Sequence, residues 1–178
     1  MFRFNRRKAV KFSAAIAVAS ITAICQAGGG KLDACKLISA AEASKRLGTM
    51  VTAHAVDTSA VGPRSASMCR YGNGHPGGGF MLLAGGAHYK DAAKEVARQE
   101  HEALADIPPG IEKPSLINVR GLGEAAYLAK TSAYFQLHVL AHGRVIVIDL
   151  NTAANKKAVS LARRIARAAL TTLTRQDE

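Results

Sequence analysis

Apolar and polar positions along this chain follow two periods. Ser39-Ala40-Ala41-Glu42 has the S-x-x-E spacing of a capping box, and Gly48 follows Leu47, so a helix is predicted from Ser39 to Leu47. Residues Met50–Val56, Ala66–Tyr71 and Phe80–Ala84 alternate or run apolar over strand-like lengths. The last two read as a hairpin around the turn Gly72–Gly79. Tyr89–Leu104 returns to helical period, with Tyr89, Ala92, Ala93, Val96, Ala103 and Leu104 on one stripe and Lys94, Glu95, Arg98 and Glu102 outside it. After a Pro-rich connection, Ser115–Val119, Glu124–Lys130, Ala133–Ala141 and Arg144–Leu150 read as strands. Val145–Ile148 is unbroken apolar, which suits a central strand covered on both faces. A long helix from Thr152 to Leu173 closes the chain. Its Ala158, Leu161, Ala162, Ile165, Ala169 and Leu173 share an arc at 100° per residue, opposite Lys156, Lys157, Arg163, Arg164 and Arg167.

Short turns between successive strands imply antiparallel pairing. The expected fold is therefore α+β: an antiparallel sheet of about six strands with three helices packed on it, in two loosely similar helix-plus-hairpin halves.

The N-terminus follows a different pattern. Met1–Lys11 holds five basic residues and no acid, Phe12–Ile24 is uncharged and mostly apolar, and Cys25-Gln26-Ala27 places small residues where a signal peptidase cuts. The apolar run, about 13 residues, is shorter than the roughly 20 that span a bilayer. Residues 1–27 therefore read as a secretory signal, against an uncleaved anchor or a buried helix. Residues 28–31 read as a flexible start, and 32–175 as one domain. Cys25 could instead be a lipidation site, but Ile24 before it is a poor match. Cleavage would lower the formal charge from +11 to +6, so much of the basicity belongs to targeting. An exported domain without Trp or interleaved aromatic and basic residues is a poor nucleic-acid binder. The partners expected are an envelope component or another exported protein, met by a monomer with no membrane span after cleavage.

Cys35 and Cys69 would be the two cysteines left. An even count in an oxidising compartment reads as a disulfide, the alternative being a metal-binding or nucleophilic thiol pair, for which no close C-x-x-C spacing exists.

Three segments, Asp33–Ala43 with Gly48, Ser67-Met68-Cys69-Arg70-Tyr71, and Gly121-Leu122-Gly123-Glu124-Ala125-Ala126-Tyr127, resemble in order the exported domain-of-unknown-function family 3558 of actinobacterial envelope proteins. That resemblance runs from about Leu32 to Leu173. It implies a Cys35–Cys69 bridge and an antiparallel α+β fold, and it implies no activity. The family is often lipidated, which the Ile24-Cys25 junction does not favour.

Candidate chemistry is sparse. The glycine turn with His75, beside Arg70, could cradle an anion but leads into a strand rather than a helix. The six histidines are scattered without metal-ligand spacing, no G-x-S-x-G occurs, and no cofactor motif is present. Asp149 reads as a strand-end residue. The basic stripe Lys156, Lys157, Arg163, Arg164 and Arg167 is a candidate contact for anionic lipid or polymer, set against a purely solubilising role. The leading expectation is an exported non-catalytic binding module. The alternatives are a small enzyme with Arg70, His75 and His138 converging near the glycine turn, and an exported inhibitor or immunity protein.

Overall fold

The computed structural model of the chain describes residues 32–57, 66–74, 78–85, 89–105, 107, 110–150 and 152–176. The leader, Cys25, the glycines at 28–30, His75 and His88 lie outside these residues.

The chain begins with a four-residue helix, α1 (Ala34–Leu37), which the periodicity did not announce. Asp33 caps it by accepting from Cys35 N at 3.0 Å. Helix α2 (Ala40–Leu47) follows as the capping box predicts. Ser39 Oγ accepts from Glu42 N at 3.1 Å, and Gly48 closes the helix at φ 73°, a left-handed conformation that glycine adopts without strain. Glu42 does not reach back to the cap; its carboxylate pairs with Arg46 one turn on.

Three strands then form a meander: β1 (Thr52–Val56), β2 (Ser67–Gly72) and β3 (Phe80–Gly85). Met50, expected to start β1, is 87% exposed and outside the strand. Helix α3 (Ala92–Ala105) starts later than Tyr89, because Asp91 Oδ1 accepts from Ala93 N and Lys94 N and fixes the first turn there. A second meander follows: β4 (Ser115–Asn118), β5 (Ala125–Lys130), β6 (Phe135–Ala141) and β7 (Arg144–Asp149). The last helix, α4 (Lys156–Gln176), begins at Asn155, whose Oδ1 accepts from Ala158 N at 3.0 Å, rather than at Thr152.

The strands make one antiparallel seven-stranded sheet in the order β1-β2-β3-β7-β6-β5-β4. The two meanders join through β3 and β7, with Met81 opposite Asp149 and Gly85 opposite Val145. The apolar run at Val145–Ile148 therefore occupies the central strand, and all four of its residues are buried. Helices pack on both sides. On the first face α1, α2 and α4 cover a core that includes Phe80, Leu82, Phe135, Leu137, Val139, Ile146 and Ile148. On the second face the packing around α3 brings Val96 and Ala92 onto Leu83, Tyr127, Leu140, Val145 and Val147.

Small residues let α4 approach closely: Ala158, Ala162, Ala166 and Ala169 are buried with Ile165 and Leu173, while Leu161 is half-buried. No helix among the described residues is long and apolar enough to cross a membrane.

The first two resemblance motifs meet in one latch. Cys35 in α1 is bonded to Cys69 in β2. Two residues along the same face of β2, the Tyr71 hydroxyl donates to Ile38 O at 2.7 Å, and its ring stacks on Phe80 at 4.5 Å. Ser67 Oγ accepts from Ala34 N at 3.0 Å. The third motif builds a turn across β6. At Gly123 (φ 56°) a Cβ would lie 2.3 Å from Leu140 O, so no larger residue fits.

Candidate functional site

Helix α4 packs on β7 and β6 at the centre of the first face, with strand β5 along one flank. The groove between them has a volume of about 740 Å³. Leu128 forms its floor, Ala154 and Val159 its apolar shoulder, and Asn155 and Ser160 its neutral polar groups. Five cations line it: Lys130 from the end of β5, and Lys156, Arg163, Arg164 and Arg167 along α4. Among the described residues no carboxylate lines the groove, and none of the five cations is in an ion pair. Arg163 is half-buried. Its Nη2 donates to Arg120 O at 2.7 Å, while its Nε is shielded from solvent with no hydrogen-bond partner. The N-terminal end of the α4 dipole, at Asn155 and Lys156, adds positive potential at the Lys130 end.

Four of the five residues of the sequence-predicted basic stripe thus share a groove. Lys157 is exposed and lies outside it, and Lys130 takes its place. Sequence reasoning missed Lys130 because only the sheet order reveals which strand end stands beside α4.

A second, smaller cavity of about 360 Å³ lies between the α1–α2 elbow and the far end of α4. There the Glu42–Arg46 pair cancels its own charge.

The other polar cluster is buried under α3. The Tyr127 hydroxyl donates to Gln99 Oε1 at 2.8 Å and lies 3.0 Å from His138 Nδ1. His138 Nε2 stands 3.3 Å from Gln136 Oε1, and Gln136 Nε2 donates to Asp149 Oδ2 at 3.2 Å. At the other end Gln99 Nε2 donates to Glu95 Oε1 at 2.8 Å. Burial alone raises the Glu95 carboxyl, but hydrogen bonds from Arg98 and Gln99 outweigh it and hold it below the usual range. Burial pushes His138 down to about 4, so the ring is neutral near pH 7, and burial also raises the Tyr127 phenol. A neutral ring that gives its proton to the Tyr127 oxygen leaves Nε2 facing an amide oxygen. The longest link in the chain falls there. The sequence signal was two polar residues at i and i+2, Gln136 and His138, inside an otherwise apolar strand, with every residue of β6 buried.

The proposed enzyme constellation does not assemble from its described members. Arg70 is exposed on β2, and His138 is on β6, three strand spacings away across β3 and β7, or roughly 14 Å. His54 is exposed on β1 and contacts Thr52 Oγ1 at 2.8 Å. His142 sits in the β6–β7 turn, 3.3 Å from Thr174 Oγ1. Among the described residues no three of His, Cys, Asp and Glu cluster as a metal site would require.

No protein-family model matches the chain, and no curated protein matches it. The residues behind the resemblance to family 3558 have structural work in the latch, the Gly123 turn and the Tyr127 network.

Proposed function

We propose that this protein is a non-catalytic binding module for an anionic component of a bacterial cell envelope, and that the groove beside α4 holds that component. One observation carries the reading: five cations converge on one groove, and among the described residues they have no carboxylate partner and no acid lines it. Unopposed like charges repel one another, so such an arrangement favours a site that an anion completes. The leader-like N-terminus and the Cys35–Cys69 bond support a location outside the cytosol, where disulfides persist. The competing enzyme reading draws no support from Arg70 and His138, which stand on separate strands.

The test is association of the exported protein with envelope fractions at low salt. The variant K156E/R163E/R164E/R167E should lose at least tenfold in association. Unchanged association would overturn the reading.

A further inference from the structure

We infer that the groove takes a linear, base-free phosphate polymer laid lengthwise along α4, rather than a single anion or a membrane surface. This inference rests on the reading of the groove as an anion site and adds what kind of anion fits it.

The first argument is spacing. Lys156, Arg163, Arg164 and Arg167 line the groove over twelve residues, eleven helical steps, of one helix. At about 1.5 Å rise per residue they are spread over roughly 16 Å. One phosphate reaches donors only within hydrogen-bond distance, about 3 Å, and would leave most of these cations unpaired. A chain bearing a charge on each unit can meet them in turn, and each further contact is then intramolecular.

Shape supplies the second argument. The cations line a groove between a helix and a strand, with Arg163 half-buried and held by Arg120 O, whereas a flat lipid surface reaches convex, outward-facing groups. Lys157 and Arg175, the cations of the same helix that lie outside the groove, are the exposed ones left for such a surface.

Donor geometry favours phosphate over carboxylate. Donors arrive from two walls, Lys130 from the sheet and Lys156 with the arginines from the helix. A tetrahedral phosphate presents acceptors in directions that reach both walls, while a carboxylate confines them to a plane. Among the described residues no aromatic ring lines the groove for a nucleobase to stack on, so a polymer without bases fits better than a nucleic acid.

The test uses the full disulfide-bonded protein and titrates inorganic phosphate, tripolyphosphate and longer linear polyphosphates at about 50 mM salt. Affinity should rise at least tenfold from phosphate to the first chain that spans the groove, then level off. The logarithm of affinity should fall against the logarithm of salt with a slope of about −3.5 for five contacts on a flexible chain. R163E/R164E/R167E should weaken polyphosphate binding more than 100-fold with an unchanged circular dichroism spectrum, and K157E should weaken it less than threefold.

If inorganic phosphate binds as tightly as the chains and charge reversal abolishes both, the anion site stands and the polymer inference falls. If charge reversal changes nothing, both fall. Equal binding of polyglucuronate overturns the choice of phosphate. Tighter binding of oligothymidylate of equal charge overturns the base-free polymer. Phosphatidylglycerol vesicles that displace polyphosphate, with K157E weakening them as much as R164E does, overturn the groove in favour of a membrane.

Discussion

His138 shows how one buried side chain ties packing to solution conditions. Its imidazole is 5% exposed under α3, and burial lowers its pKa from 6.5 to about 4. The folded state then binds fewer protons than the unfolded chain between these values. Its contribution to stability is complete above about pH 6.5 and is lost as pH falls toward 4, at about 1.4 kcal/mol per unit of difference, or roughly 3 kcal/mol in all. Urea midpoints measured at pH 7, 5.5 and 4.5 should fall, and H138Q, which cannot titrate there, should flatten that dependence. An equally steep fall in H138Q would assign the acid sensitivity elsewhere. Gly123 is a second position where one atom decides. An alanine there meets Leu140 O, and G123A should destabilise by more than the ordinary penalty of a positive φ.

The α1–α2 elbow and strand β2 are a unit because three independent contacts join them: the Cys35–Cys69 bond, the Tyr71 hydroxyl on Ile38 O, and Ser67 Oγ under Ala34 N. Closing a loop with a sequence separation of 34 residues restrains the unfolded chain by about 4 kcal/mol in the chain-entropy account. The C35S/C69S variant should lose about 3–4 kcal/mol of unfolding free energy and should no longer respond to dithiothreitol. A variant as stable as the parent would show that the hydrogen bonds alone hold the elbow. Much of this scale was legible in the sequence. Ser39, Glu42 and Gly48 marked α2, and the even pair Cys35 and Cys69 that remains when residues 1–27 are read as a leader marked the bridge. The exceptions have local causes. A four-residue helix is too short for periodicity to register, and the starts of α3 and α4 were set by Asp91 and Asn155, whose capping bonds override the apolar pattern upstream.

At the scale of the whole molecule, the central strand could be read from Val145–Ile148, but its neighbour could not. Sequence adjacency links β6 to β7, and nothing local indicates that β3 takes the other side. The groove was hidden for the same reason. The stripe on α4 was visible as a helical pattern, yet Lys130 joins it only once the sheet order sets β5 along that flank. The order also predicts where the fold opens last. Amide exchange should be slowest in β3, β7 and β6, whose backbones are paired on both sides. The edge strands β1 and β4 should exchange sooner, with the exposed Ile117 among the early positions. Fast exchange in β7 would contradict its place in the sheet.

Joining the halves through β3 and β7 has a consequence for how the polypeptide is born. Met81 must find Asp149, about 68 residues later, before the middle of the sheet exists. A ribosome or a secretion pore delivers the N-terminal meander first, so for that interval Leu82, Leu83 and Ala84 lie on a ribbon whose outer flank has no mate. A nascent chain arrested before Arg144 should therefore cling to holding chaperones, and release should coincide with the emergence of the Val145–Ile148 segment.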